Sequence, residues 1–183
     1  LLLFQVMIDE TGIPVTVEEF MVLEREVYSE EMKSLNLMPG AERLVKHLYS
    51  HGIPMAIATG STIESFAIKT AKFGSFFKVG NYFNHIVKTR DDPDVKKPKP
   101  HPDAYLVAAQ RFSPPADPKR CLIFEDSGIG VDAGIAAGMQ AVMVPDNRFK
   151  CTQKNATLIL RSLEDFKPEL FGLPSYDSQV NGD

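Results

Sequence analysis

Short apolar runs and helical patterns of apolar residues alternate along most of this chain. The runs are four or five residues long and predict buried strands at 54–58, 83–87, 121–124, 141–144 and 157–160. Between them, apolar residues that recur every three or four positions predict helices at 41–51, after 61, from 102 to about 112, and in the Ala/Gly-rich stretch before 139. This alternation is typical of an α/β fold with a doubly wound parallel sheet.

The first 35 residues follow a different pattern, which predicts two helices with no strand between them. The sequence Gly-Ile-Pro at 12–14 interrupts the helical spacing, and Thr16 followed by two glutamates is a typical helix start. A turn-forming sequence, NLMPG, comes next. We therefore expect three parts: a helical piece at 1–37, a main domain at 38–175 and a flexible tail at 176–183.

The composition favours a globular domain and argues against nucleic acid or membrane as a partner. The chain of 183 residues is 44% hydrophobic and 24% charged, with a formal net charge of -4, and its cations cluster only at Lys96, Lys97 and Lys99. No apolar run reaches the length of about 18 residues that a bilayer requires. Two cysteines, Cys121 and Cys151, suit a reducing compartment, so we expect a cytoplasmic protein.

Two adjacent carboxylates follow the apolar run at 121–124. Ligands of open α/β sheets bind beyond the carboxyl ends of the strands, and Glu125 and Asp126 would lie at such an end. Their oxygens are the type of ligand that Mg²⁺ prefers. The alternative is that Asp126 caps the next helix and Glu125 is a solvated acid.

A hydroxyl side chain ends another predicted strand, at Thr59. Together with Gly60 and backbone N–H groups at the start of the next helix, it is suited to hold a phosphate oxygen. The alternative is that Thr59 or Ser61 only caps that helix.

The proline-rich segment at 96–103 predicts an extended, stiff approach to the helix that begins near Pro102. One of its lysines is a candidate for a rigidly held cation beside an anion, and the alternative is a solvated basic loop. His101 is interpreted as a loop residue rather than a metal ligand.

Two other acidic positions are weaker candidates. Asp92 and Asp94 form a D-x-D pair, which in phosphate chemistry can supply a nucleophile and a general acid, but Pro93 and the charged residues before it do not resemble a buried strand end. Asp146 also follows a predicted strand, where a turn or capping role is as plausible as catalysis.

The strand-end residues occur in the order Thr59, Lys99, then Glu125 with Asp126, and each has a role in phosphoryl transfer. At this point the sequence resembles the haloacid dehalogenase-like hydrolases that have a small helical cap. Three segments carry the resemblance: AIATGS at 56–61, KPHPDAY at 99–105 and FEDSGIGVDAGIAAGM at 124–139.

The resemblance implies a Rossmann-like parallel sheet, with 1–37 as part of the cap. It also implies that Thr59 and Gly60 bind phosphate, that Lys99 is catalytic and binds phosphate, and that Asp126 and Glu125 hold Mg²⁺. Gly60 replaces the Ser or Asn that is common at its position, and His101 replaces an acid that is common in its loop.

Family members begin with a strand that ends in D-x-D-G, whose first Asp attacks phosphorus and whose second acts as acid and base. The 183 residues contain no such segment. We therefore expect an N-terminally truncated form that lacks the first strand and is inactive alone. In the family's sheet that strand is central, between the strands that end at Thr59 and Glu125.

The function expected from the resemblance is a Mg²⁺-dependent phosphomonoesterase that acts on a small phosphorylated metabolite. Pseudouridine 5'-phosphate or a related nucleotide or sugar phosphate is the expected substrate, and a monomer the expected state. Two alternatives remain: a catalytically dead isoform that acts as a binding or regulatory module, and a phosphoglucomutase-like member of the family. A receiver-type signalling domain is disfavoured because its acids precede the Thr and Lys.

Overall fold

A computed structural model describes residues 2–146 and 155–176. In this part of the chain, helices alternate with strands after two initial helices, as the hydrophobic pattern predicts. The helices are α1 (Leu2–Thr11), α2 (Val17–Ser34), α3 (Ala41–Ser50), α4 (Ile63–Thr70), α5 (Asp103–Gln110) and α6 (Gly128–Ala136). The strands are β1 (Ala56–Thr59), β2 (His85–Lys88), β3 (Leu122–Glu125), β4 (Gln140–Met143) and β5 (Leu158–Ile159). Most of the predicted tail lies outside the described residues.

All the paired strands are parallel, which confirms the predicted α/β class. β1 pairs with β2, while β3, β4 and β5 form a second sheet in that order. No ladder joins β1 to β3 among the described residues. Instead, the Lys99 side chain connects the two sheets, because its Nζ donates to the carbonyl of Ala58 in β1 (3.2 Å) and forms an ion pair with Glu125 at the end of β3.

The core lies on both faces of the second sheet. Side chains of a strand point alternately to opposite faces, and in β4 Ala141 and Met143 pack in a cluster with Val131 of α6. Val142 packs on the other side with Leu48 of α3. Residues 141–144 are all buried, which explains their unbroken apolar sequence. The sheet is therefore covered by helices on both faces, as predicted.

The two initial helices also agree with the sequence pattern. Thr16 caps α2: its Oγ1 accepts from the N–H of Glu19 (3.2 Å), and the Glu19 carboxylate accepts from the N–H of Thr16 (2.8 Å). α2 contacts α1 and α4. The assignment of 1–37 to a cap remains a prediction.

Some predicted boundaries were wrong by two residues. The strand predicted at 83–87 begins at His85, because Phe83 instead forms an isolated bridge with Val79. The strand predicted at 54–58 begins at Ala56, because Pro54 has no N–H to donate to a ladder and the N–H of Met55 donates to the Asn84 side chain (3.1 Å). Within the described ranges, no helix is both long and apolar enough to cross a membrane.

Gly40 allows α3 to begin against the segment that follows β5. Its φ is +84°, and a Cβ at this position would lie 2.5 Å from the backbone N of Glu164 and 2.6 Å from the backbone C of Leu163. We predict that Gly40→Ala lowers the free energy of unfolding by about 3 kcal/mol, because it adds a backbone clash to the left-handed strain. Urea denaturation followed by circular dichroism measures this loss.

Gly52→Ala is the matched control. Gly52 has φ +66°, but a Cβ there meets no atom within 4 Å, so its substitution costs only the conformational strain, about 1 kcal/mol. Equal losses in the two variants would show that the close approach at Gly40 does not contribute to stability.

Candidate active site

Two residues predicted from the sequence, Lys99 and Glu125, meet in direct contact between the two sheets. Lys99 Nζ donates to Glu125 Oε1, and both side chains are largely buried, with exposed fractions of 16% and 9%. The other hydrogen bond of Lys99 Nζ, to the carbonyl of Ala58, is to the residue next to Thr59. The structure therefore brings the carboxyl ends of β1 and β3 together around one buried ion pair.

Tyr105, which was not predicted as a site residue, completes the environment of the Glu125 carboxylate. Its hydroxyl donates to Glu125 Oε1, while Ser127 Oγ donates to Oε2 (3.2 Å). Burial, followed by the negative charges of Glu125 and Asp126, raises the pKa of Tyr105 well above its ordinary value, so the phenol stays protonated and donates. Its place within KPHPDAY was the available sequence signal.

The start of α6 excludes the alternative interpretation of the acid pair. Ser127 is the N-cap, since its Oγ accepts from the N–H of Gly130 (3.1 Å), so Asp126 does not cap this helix as the alternative interpretation supposed. Glu125 is likewise not a solvated acid, because it is nearly buried. A Cβ on Gly130 would overlap the Glu125 carboxyl group, which explains a glycine in this turn of α6. Asp126 lies beside Glu125 and is exposed.

The turn after β1 does not supply the cap of α4 from Thr59 or Ser61, which was the alternative interpretation of these hydroxyls. Thr62 caps α4 by accepting from the N–H of Ser65 (3.1 Å), so Thr59 and Ser61 are not the cap. Thr59 Oγ1 accepts from the N–H of Ser61 (3.2 Å), a bond that does not use the threonine's own hydroxyl proton. Gly60 has open space around its α-carbon.

The N–H groups at the start of α4 are less available than the sequence suggested. Ile63 N donates to the Asp91 carboxylate (2.5 Å), Ser65 N to Thr62 and Ser61 N to Thr59. Side chains therefore already satisfy these three N–H groups, while the use of the backbone at Gly60 as a phosphate contact stays a prediction. A ligand at this turn would depend mainly on the Thr59 hydroxyl and the backbone at Gly60.

A polar cavity of about 550 Å³ adjoins Thr59, Gly60 and Ser61. Its other walls come from α2, α4 and the loop after β2. Lys69 of α4 donates to Ser61 Oγ (3.2 Å) at one side of this space. The turn after β1 therefore borders a concave surface large enough for a small metabolite.

Asp92 and Asp94 lie away from the buried ion pair, in the loop beyond β2, where both bind Arg111. The Asp92 oxygens accept from Nη1 and Nη2 of Arg111 at 2.6 and 2.7 Å, and Asp94 accepts from Nη2 at 2.7 Å. This clamp joins the loop to the end of α5. Asp146 lies three residues beyond β4, and His101 lies in an exposed turn, as interpreted from the sequence.

The candidate metal ligands are two adjacent carboxylates, Glu125 and Asp126. No group of three or more His, Cys, Asp or Glu side chains suited to a metal ion occurs in 2–146 and 155–176. The adjacent carboxylates of Glu125 and Asp126 still fit Mg²⁺, since this ion is usually bound by one or two carboxylates together with waters and substrate phosphates. Cys151 lies outside the described residues.

Comparison with known proteins gives a consistent family match. Residues 8–138 match the haloacid dehalogenase-like hydrolases. A probable pseudouridine-5'-phosphatase of Drosophila melanogaster is 44% identical over 171 residues, which cover 93% of this chain and 73% of that protein. (DL)-glycerol-3-phosphatase 1, mitochondrial, of Arabidopsis thaliana is 42% identical over 178 residues, 95% of this chain and 58% of that protein. The sequence resemblance is thus to pseudouridine-5'-phosphatase as well as to the family.

Solved structures share the fold. CbbY from Rhodobacter sphaeroides in complex with phosphate matches with a TM-score of 0.67 and 22% identity, over 83% of this chain and 66% of that one. A HAD hydrolase of family IA from Entamoeba histolytica matches with a TM-score of 0.70 and 20% identity, over 91% and 75%. These similarities confirm the HAD-like α/β fold.

Removal of the phenol hydroxyl tests the environment of Glu125. We predict that Tyr105→Phe lowers the free energy of unfolding by about 2 kcal/mol, because a buried carboxylate loses one donor. Tyr49→Phe, at an exposed tyrosine of α3, is the control and should change little. Urea denaturation of both variants makes the comparison, and a Tyr105→Phe protein as stable as the parent would contradict it.

The Arg111 clamp predicts a pH dependence. The guanidinium holds the pKa of Asp92 below its usual value, so the stabilisation is present above about pH 4, the unfolded pKa, and is lost as pH falls through the lower folded pKa. Arg111→Ala should therefore lower the free energy of unfolding by about 1 kcal/mol at pH 7 and by less at pH 3.

Lys46→Ala is the control for this clamp, since it removes an exposed cation paired with Glu42 within one helix. Its loss at pH 7 should be smaller. A penalty for Arg111→Ala that is unchanged between pH 7 and pH 3 would contradict the assignment.

Proposed function

The chain belongs to the haloacid dehalogenase-like hydrolase family, and from this we propose that it acts in the Mg²⁺-dependent hydrolysis of small phosphate monoesters. The observation that carries the proposal is the contact between the Lys99 and Glu125 side chains. Lys99 also donates to the carbonyl of Ala58, the residue before Thr59, so all three groups lie close together. A hydroxyl and an acid pair at the ends of β1 and β3, together with a cation from the segment before α5, are groups that phosphoryl transfer requires.

Lys99 would bind and neutralise the phosphoryl group. An ammonium group has three N–H donors, and the contacts with Ala58 O and Glu125 Oε1 use two of them. A third N–H would donate to a phosphate oxygen beside the Tyr105 ring, whose centroid lies 4.6 Å from Nζ. Because the side chain is only 16% exposed, water screens its charge weakly, so its attraction to developing negative charge is greater than at the surface.

Thr59 would orient the same phosphoryl group from the β1 side. Its Oγ1 is fixed by the N–H of Ser61, which leaves the hydroxyl proton for a phosphate oxygen. The open space at Gly60 allows a ligand oxygen to approach the backbone closely. A side chain at that position would narrow the approach.

Glu125 and Asp126 would hold Mg²⁺, which when bound polarises a phosphoryl oxygen and offsets its charge. The two residues differ in their surroundings. Glu125 is fixed by Lys99, Tyr105 and Ser127, whereas Asp126 is exposed. We therefore propose that Asp126 is the more accessible metal contact and that Glu125 is a metal contact whose carboxylate the protein holds in place.

The substrate is proposed from the relatives and from the chemistry they share. Pseudouridine 5'-phosphate and glycerol 3-phosphate, named for the two relatives, are both phosphate esters of a primary alcohol with a hydroxyl or ring oxygen on the next carbon. We expect pseudouridine 5'-phosphate or a related nucleotide or sugar phosphate. We expect the 183 residues alone to be inactive, because they contain no D-x-D-G segment to supply the nucleophile.

Activity is tested on the gene product expressed with any coding sequence that precedes Leu1. With Mg²⁺, we expect phosphate release from pseudouridine 5'-phosphate or glycerol 3-phosphate, and its loss on chelation by EDTA. Lys99→Met should lower kcat about 100-fold or more, since it removes a charged donor to the transition state.

Lys46→Met, at an exposed lysine of α3, is the matched control and should retain the activity of the parent. No phosphate release by the parent from either ester would refute the proposed function. A Lys99→Met protein as active as the control would refute the role of that lysine.

A further inference from the structure

The cavity beside Thr59 has walls of unusual composition for a metabolite site. Ten described residues line it, and one of them, Ile68, is aliphatic while none is aromatic. Pockets for nucleobases and other flat apolar groups are usually lined by hydrophobic and aromatic side chains. The walls of this cavity therefore suit a polar or charged ligand group better than a neutral ring.

The charges in these walls are mostly positive. Arg25 of α2, Lys69 of α4 and Arg90 of the loop after β2 line the same space, and Glu64 is the acid among the described lining residues. A concave surface lined by one sign of charge concentrates the potential inside it. The cavity should therefore attract an anionic group.

The position of the cavity relates this anion to the proposed phosphate site. Thr59 and Gly60 belong both to the cavity wall and to the proposed phosphate contacts. Lys69 is oriented toward this end by its hydrogen bond to Ser61 Oγ (3.2 Å). A ligand whose phosphate lies at Thr59 and Lys99 would extend its other end toward Arg25 and Arg90.

We infer that the cavity is a subsite for a second anionic group, a carboxylate or a second phosphate, on the substrate. This inference rests on the proposed hydrolysis of small phosphate esters, and within that class it favours esters with another negative charge over pseudouridine 5'-phosphate and glycerol 3-phosphate, which carry no anion besides the phosphate. Arg25 and Arg90 are the specificity-determining residues, because each places a cation in the cavity wall away from the proposed phosphate contacts at the turn after β1. Such contacts change substrate binding rather than the chemical step.

The test compares substrates that share one carbon skeleton. Glycerol 3-phosphate ends in a neutral hydroxymethyl group, 3-phosphoglycerate in a carboxylate and glycerol 1,3-bisphosphate in a second phosphate. The protein tested is the gene product with any upstream coding sequence. We expect its KM to be about tenfold lower for at least one of the two esters with a second anionic group than for glycerol 3-phosphate. The ester with the lower KM distinguishes a carboxylate site from a phosphate site.

Two variants locate the effect. Arg25→Gln and Arg90→Gln should each reduce that preference several-fold with little change in kcat for glycerol 3-phosphate, and added salt should reduce it in the parent. Arg120→Gln is the control, because it removes an exposed arginine that does not line the cavity. An equal KM for all three esters, or a preference unchanged in both variants, would overturn the inference.

Calorimetric titration of the 183-residue chain keeps this inference separate from the proposed function. If no ester is hydrolysed, the proposed function fails, and the binding of 3-phosphoglycerate, glycerol 1,3-bisphosphate and glycerol 3-phosphate decides the subsite. Tighter binding of an ester with a second anion, weakened by Arg25→Gln and not by Arg120→Gln, would support it. Equal binding, or none, would overturn it.

Discussion

The link between the two sheets depends on one nearly buried carboxylate and on the groups that compensate its charge. An ionised acid removed from water is strongly unfavourable unless it is paired and hydrogen-bonded. Glu125 meets this requirement through the Lys99 cation and through hydroxyls from α5 and α6, supplied by Tyr105 and Ser127. Since Lys99 also donates to the carbonyl of Ala58, the hydrogen bonds around the Glu125 carboxylate link both sheets, α5 and the start of α6. Stability and the candidate chemistry therefore share the same atoms.

The packing of α6 follows from this constraint. The helix must approach the end of β3 closely enough for Ser127 to reach the carboxylate, and the absence of a side chain at Gly130 permits that approach. Gly134, one turn later, similarly accommodates the end of the Ile123 side chain. The glycine spacing in this helix thus reflects contact with the strand beneath it, at the cost of lower helix propensity.

The sequence predicted the features that depend on local pattern, and missed those that depend on distance between elements. A short apolar run followed by polar residues is a local signal, so Glu125 was identified at the end of its strand, whereas the resemblance to the family selected Lys99 among the lysines at 96, 97 and 99. The capping alternatives named Asp126, Thr59 and Ser61 because adjacent hydroxyl and acidic residues all favour an N-cap, and only geometry selects Thr62 and Ser127. The contact of Tyr105 with Glu125 spans 20 residues, and no local pattern encodes it.

The loop after β2 is anchored to α4 and to the end of α5. Asp91 and Asp92 directly follow Arg90 in the chain. Asp91 accepts from the first N–H of α4, and Asp92 binds Arg111 at the end of α5. Two adjacent anchors reduce the backbone freedom of the loop, while the Arg90 side chain lies at the exposed rim. Neither anchor uses the Arg90 side chain, so a change of charge at position 90 should leave the backbone of this loop in place.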